Sequence, residues 1–282
     1  MKPSSGLLVV VVLFFAFGRE SAFSQPPIET SAADSVDQAT ARLYQQYSET
    51  AESLALETVS GDAFRLEPQP LFRFATNGST FGSVFIWRDA ESRLAVIGTI
   101  GSLPIRQLDH EFVELHLLKP AAINAVALPG SPPKQWTPDV AALKLMRMEN
   151  TPLVAANARS RMVQMRGIAR QFTAMMQYNG QRQSLRLLPQ PLFRYADSTQ
   201  EKDGALFAFV WDTGTDPELL LRLEALQVGQ EIHWHYQPVR FTYRELALSR
   251  NDDQVWSVEE FVQRDAPQQT TPYVTGLTKI IP

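Results

Sequence analysis

Two of the four histidines in the 282-residue chain, His233 and His235, are separated by a single residue. In an extended segment that spacing puts two imidazoles on one face, an arrangement that metal sites use. Glu231 would share the face, and Asp109, His110 or Glu111 could add a third ligand. An H-x-H pair with no carboxylate motif at fixed spacing equally describes ordinary strand histidines, so the expectation is no metal and no cofactor. Glycoside hydrolysis needs two carboxyl groups flanking one bond. Glu111 and Glu114 are candidates, but no motif places them across a cleft. The G-x-S-x-G elbow, the G-x-G-x-x-G fingerprint and the phosphate-binding loop are all absent. There is no cysteine, which removes thiol nucleophiles, cysteine-ligated zinc and disulfides.

Aromatic residues are more densely arranged. Phe85 and Trp87 share a strand face, as do Phe207, Phe209 and Trp211, and as do Trp234 and Tyr236. Such faces stack on sugar rings or fill a core. The phenylalanines are assigned to the core, while Trp87, Trp211, Trp234 and Tyr236 are kept as candidate binding residues for a cell-envelope glycan or protein. Arg159, Arg161, Arg166 and Arg170 make one helix basic, which reads as a solvated face; a patch for acidic glycans is the alternative.

The elements that must carry these residues are written twice. FRLEPQPLFRF (64–74) and LRLLPQPLFRY (185–195) agree at eight of eleven positions. Each is followed by an aromatic strand ending in tryptophan (GSVFIW, 82–87; LFAFVW, 206–211). An aliphatic strand comes next (93–100; 218–226), then a histidine-bearing one (109–117; 232–243), at offsets of 121 to about 125. A helix precedes each set. Val36, Ala39, Leu43, Tyr47, Ala51 and Leu54 form one stripe over 31–56, with Ser31 or Asp34 as cap. Met162, Met165, Ala169, Phe172 and Met176 form another over 158–180, with Asn179-Gly180 as its stop. This predicts an α+β fold of two duplicated units, each a helix followed by about four antiparallel strands, in a pseudo-twofold arrangement. The units run 25–152 and 153–282. The stretch 127–138, rich in proline and glycine, reads as a loop, and 140–148 as a strand or short helix. The tail after Asp265 reads as a loose surface segment.

Pro-Gln-Pro sits inside a near-strict alternation, so 64–74 reads as one half-buried strand. Two prolines two residues apart remove two donors from one edge. The favoured reading is that each unit ends its sheet here, with the edge blunted against other chains; a polyproline II recognition ledge is the alternative.

The chain opens with a short charged start and the apolar run Leu7–Phe17, which match an export signal, residues 1–24, cleaved before Gln25 at Ala22-Phe23-Ser24. The run is shorter than the roughly 20 residues a membrane span needs, an uncleaved anchor being the alternative. Without residues 1–24 the chain carries 24 basic and 29 acidic side chains, net −5, which does not suit nucleic acid. No further membrane segment is expected.

The run RMVQMRGIARQF, with LRLLPQPLFRYADSTQEKDGALFAFVWDTGTDPELLLRLEA after it, resembles a recurring pattern in an uncharacterised family of exported proteins from planctomycete-type bacteria. It covers 161 to about 226, and the first half matches through PQPLFRF and GSVFIW only. The resemblance implies bacterial export and no particular activity. The functional expectation is a non-catalytic binding or scaffolding protein of the periplasm or cell surface. A polysaccharide-acting hydrolase is the alternative.

Overall fold

Helix α1 (Ala32–Ser53) forms where the first apolar stripe falls, and its last two turns do the packing. Tyr47, Ala51 and the following Leu54 are buried, whereas Ala39 is exposed. The computed structural model describes residues 32–76, 79–130, 133–196 and 202–281. The expected export segment with its expected cleavage site, and Ser31, lie outside them. After α1 come β1 (Arg65–Leu66), β2 (Phe72–Thr76), β3 (Thr80–Arg88), β4 (Leu94–Ile105) and β5 (Leu108–Leu117). They pair antiparallel, with β1 and β2 both on β3, then β4, then β5. Arg106 and Gln107, at φ 50° and 69°, make the tight reversal between β4 and β5, a conformation that matches strand twist.

Three short strands follow, β6 (Val126–Leu128), β7 (Lys134–Trp136) and β8 (Met146–Arg147). The 127–138 stretch expected as a loop is therefore partly strand, and it buries Trp136 completely. Helix α2 (Ala158–Ala169) starts at Asn157, whose side chain accepts from the Ser160 N–H. It is shorter than the stripe suggested. Phe172–Tyr178 is a strand, β9, with Phe172, Ala174 and Met176 buried at period 2. Asn179 and Gly180, at φ 50° and 75°, are not a helix stop; they turn the chain from β9 into β10 (Gln181–Leu187). The second sheet continues with β11 (Phe193–Ala196), β12 (Lys202–Trp211), β13 (Pro217–Val228), β14 (Glu231–Arg240), β15 (Leu246–Arg250) and β16 (Asp253–Val258). Its order is β16–β15–β9–β10–β12–β13–β14–β8, with β11 also on β12. β17 (Gln268–Gln269) pairs with β7, and β18 (Tyr273–Ile281) with β5. The class is α+β, dominated by antiparallel strands.

Both sheets bury both faces. Phe85, Trp87, Val96, Val113 and Leu115 pack beneath α1 with Tyr47, Ala51 and Leu54. Phe207, Phe209, Leu219, Leu221 and Leu223 pack beneath α2 with Met165, Ile168 and Ala169. The alternate residues Val84, Ile86 and Ile97 meet Leu206, Ala208, Val210 and Leu220 between the sheets. The two sheets are thus stacked face to face with a helix on each outer face. That is why the central strands read as nearly unbroken apolar runs.

The tail is not a loose surface segment. Residues 273–281 form a strand against β5, with Tyr273, Val274 and Thr275 buried. Its signal was weak because its first three residues are all buried and most of the rest are exposed or half-buried, so no clean period of two runs along it. In return, β8 leaves the first half and pairs with β14, through Met146↔Tyr236 and Arg147↔His235. Strands from either side of residue 152 therefore complete the sheet of the other.

Pro-Gln-Pro does not lie within a continuous strand. Glu67 N–H donates to Ile86 O (3.0 Å) and Leu71 N–H to Val84 O (2.8 Å). Leu188 N–H and Leu192 N–H donate to Ala208 O and Leu206 O, both at 2.8 Å. Four residues of the motif strand thus face two of its partner, and the prolines sit where the ladder is already interrupted. In the second half, moreover, β10 is flanked by β9, so the motif does not end that sheet. In both halves the prolines sit in a bulge; in the second half they do not blunt an edge, whereas in the first half β1 and β2 do end the sheet, as expected. Replacing Pro189 and Pro191 by alanine is expected to cost about 1–2 kcal/mol, through a freer unfolded chain, with no new self-association. Urea unfolding together with size-exclusion chromatography checks both halves of that expectation.

Candidate functional site

Strand β13 reads PELLLRLEALQV. Its odd-numbered residues, Leu219, Leu221 and Leu223, go under α2. Its even-numbered ones face the first sheet: Leu220, then Arg222, Glu224 and Leu226. Two charges on a buried strand face need partners. Arg222 Nε donates to Tyr195 Oη (3.0 Å), and Nη1 to Leu118 O and Gln237 Oε1, both 3.2 Å. Nη2 lies 2.5 Å from Glu224 Oε2. Burial opposes the Arg222 charge, but Tyr195 and Glu224 outweigh it and raise its pKa. Burial likewise pushes the Tyr195 phenol well above its ordinary range. The Tyr195 ring lies against Gly204, where an added Cβ would fall 2.5 Å from its Cζ and Oη. Only glycine fits opposite this tyrosine.

These four side chains, Tyr195, Arg222, Glu224 and Gln237, form the floor of a cavity of about 720 Å³. Leu94, Leu118, Leu143, Leu145 and Leu226 supply an apolar wall, and Arg88, Glu91, Arg93 and Lys119 a charged rim. The rim charges are paired: Arg88 with Glu67, Arg93 with Glu91 (2.5 Å) and Asp89 (2.8 Å), Lys119 with Asp89 (2.9 Å). Burial works to raise the Asp89 pKa, but Lys119 and Arg93 prevail and hold it below the usual range. Glu224 is 4% exposed, and its Oε2 has no hydrogen bond among the described residues. It has a charge neighbour in Arg222 but no aligned donor.

A smaller cavity of about 370 Å³ is lined by His116, Arg240, Trp256 and Tyr273 among others. Behind it Tyr273 Oη donates to Glu114 Oε1 (2.5 Å). Arg240 lies over the Tyr273 ring at 5.4 Å and donates to four backbone carbonyls, those of Thr242, Tyr243, Arg244 and Glu259. Burial pushes Glu114 up to about 8 and His116 down to about 4. Asp216 and Glu218 nearby are also raised by burial. Burial here favours the uncharged forms of both the acids and the imidazole.

The sequence candidates fall elsewhere. Trp87 and Trp234 are 1% exposed and Tyr236 7%, so all three are core residues that no sugar ring reaches. They were good stacking candidates by type, but the helix side of each sheet is closed. Trp211 is half-buried against Tyr178 (ring centroids 4.7 Å apart), and Arg244 lies over it at 5.6 Å. His233 Nε2 lies 3.2 Å from Glu231, and its Nδ1 3.3 Å from the Arg147 guanidinium, a cation that opposes metal at the pair. His235 is buried, with Nδ1 3.1 Å from His233 O. Asp109 and His110 are in the other sheet, opposite Ile281 and Ile280. Glu111 and Glu114 cannot flank one bond, because they lie on opposite faces of β5. Glu111 is fully buried beneath α1, accepting from Thr50 (3.1 Å) and Thr278 (2.7 Å). Arg161 is not a solvated helix residue: it is 6% exposed and bonds Asp203 Oδ2 at 2.7 Å. Arg159 and Arg170 are exposed.

The cavity floor escaped sequence reasoning because Tyr195, Arg222, Glu224 and Gln237 come from three strands, β11, β13 and β14. One signal was present. Arg222 and Glu224, two apart in a mostly apolar strand, had to share a face. Compared with known proteins, the chain matches no family model, no curated protein and no solved structure.

Proposed function

We propose that the protein is an exported, non-catalytic binding protein of the periplasm or cell surface, and that the cavity over Arg222 and Glu224 is its ligand site. The carrying observation is that cavity: about 720 Å³, apolar on one wall, with convergent polar groups on its floor. Export rests on the apolar run Leu7–Phe17 and the Ala22-Phe23-Ser24 site. The chain arose by duplication of a helix-plus-sheet unit, the two copies related by a pseudo-twofold. Three repeated features support this: the Pro-Gln-Pro bulge on β3 and on β12, the matched order of strands, and the reciprocal placement of β8 and β18. In a titration of the 25–282 chain with small polar ligands, the expected result is saturable perturbation of Tyr195, Arg222 and Gln237 signals in NMR spectra. Release of reducing ends from any polysaccharide incubated with the protein refutes the non-catalytic reading and favours the hydrolase.

A further inference from the structure

We infer that the protein has a second binding site, in the smaller cavity of about 370 Å³, and that it takes a small monocarboxylic acid, whose carboxylate pairs with Arg240 and whose apolar body rests on Trp256, Pro238 and Pro272. This cavity shares no lining residue with the one over Arg222 and Glu224, so the inference does not rest on that reading.

The first argument is a charge without a counter-ion. Arg161 has Asp203 at 2.7 Å, Arg222 has Glu224 at 2.5 Å and Arg244 has Glu218 at 3.5 Å. Arg240 is as buried as Arg161, both being 6% exposed, yet it has no carboxylate oxygen within 4.0 Å among the described residues. The acids that act on it from further away are Glu114, whose charged form burial disfavours, and Glu260, which is exposed. Burial accordingly lowers the Arg240 pKa, whereas that of Arg222 is raised. A buried cation without a partner is costly, and an anionic ligand supplies what is missing.

The second argument is placement. Nε and Nη2 of Arg240 are spent on four backbone carbonyls, and the ring centroids of Tyr273 and Phe261 lie 5.4 Å and 5.8 Å from its Cζ. The guanidinium is thus fixed before a ligand arrives. Nη1 has no hydrogen bond among the described residues and, unlike Glu224 Oε2, it is not sealed, so its hydrogens are open to the cavity that Arg240 lines. The third argument is the ligand's charge and size. His116 adds no second cation, because burial pushes its pKa down to about 4, and its Nδ1 is engaged 2.8 Å from Leu117 O. Asp139, exposed at the rim, caps the short helix Val140–Ala142 and opposes a second negative charge. One cation and one nearby acid suit a monoanion better than a phosphate. The tryptophan and the two prolines give an apolar wall for a ring or a short chain.

The test is calorimetry and NMR on the full chain, expressed in an exporting host, with the Trp256 indole N–H signal identified by its loss in Trp256→Phe. The probes are benzoate and hexanoate (monoanionic), benzamide (the neutral counterpart of benzoate) and inorganic phosphate. A monocarboxylate is expected to bind saturably and shift the Trp256 signal, with benzamide about tenfold weaker than benzoate or more. Ala142→Trp, at an exposed position on the cavity wall, should leave the thermal melt unchanged and weaken benzoate by about tenfold or more, by filling the space. Arg240→Gln should abolish the preference for benzoate over benzamide; if that variant fails to fold, the wild-type preference and Ala142→Trp still decide. Benzamide binding as tightly as benzoate overturns the pairing with Arg240. Phosphate shifting the Trp256 signal while the monocarboxylates do not overturns the ligand class. The site itself is overturned if Ala142→Trp binds benzoate like the wild type or if no probe shifts the signal.

Discussion

Replacing Asp203 by alanine is expected to lower the unfolding free energy by about 3–5 kcal/mol. Asp203 is 1% exposed and lies between two guanidinium groups. Arg161, on α2, bonds its Oδ2 at 2.7 Å; Arg194, on β11, bonds Oδ1 at 3.2 Å and Oδ2 at 2.9 Å. The aspartate thus ties helix, bulged strand and sheet at one point. Without it, the Arg161 charge stays buried at 7% side-chain exposure with only the Ala155 and Ala156 carbonyls as partners. An uncompensated buried charge costs more than the ion pair contributes, so Arg161→Met should be milder than Asp203→Ala, and the double variant should recover part of the loss. Urea unfolding of the three variants decides this. Equal losses for both single variants would contradict the reasoning.

Glu114 sets a second large effect, on pH. Burial raises its pKa to about 8 from an ordinary 4.5, so the native state keeps a proton that the unfolded chain releases. The stabilisation from that proton is complete below pH 4.5 and is lost as pH rises toward 8, at about 1.4 kcal/mol per unit. His116 works in the opposite sense. Its pKa falls from 6.5 to about 4, so it weakens the fold only below pH 6.5. Between pH 6.5 and 8 the Glu114 effect is therefore free of His116, and stability should drop by about 2 kcal/mol. Glu114→Gln keeps an acceptor for Tyr273 and carries no titrating proton. Its curve over the same window should flatten toward the residual slope set by Asp216 and Glu218, whose pKa values are raised too. Denaturant midpoints at half-unit pH steps measure it. A wild-type curve that rises across the window would show that Glu114 ionises freely.

Much of the sheet core was legible, and the reason is periodicity. Phe85 and Trp87 alternate with Val84 and Ile86, and both sets are buried because both faces are covered. The α1 stripe was readable at Tyr47, Ala51 and Leu54 for the same reason. Asn179-Gly180 misled because one dipeptide serves as a helix stop and as a hairpin turn, and the alternation of Phe172, Ala174 and Met176 was the tie-breaker. Arg161 was unreadable as a buried residue, since nothing local announces that Asp203, forty-two positions on, lies beside it. The cavity floor was hidden in the same way. Tyr195 and Gln237 acquire meaning only from the register that sets them beside Arg222.

The exchange of β8 and β18 has a consequence in time. Tyr273 and Glu114, which meet across β18 and β5, are 159 residues apart in the chain. A ribosome that has made everything through β5, β8 and even β14 has not yet made the strand that closes the first sheet. Until then β5 has a free edge along its full length, exposing donors and acceptors to any neighbouring chain. Early closure is ruled out by the order of synthesis, and contacts of such long range form slowly even afterwards. The first sheet therefore closes last, and a factor that shields the open β5 edge until then is the natural complement to this topology.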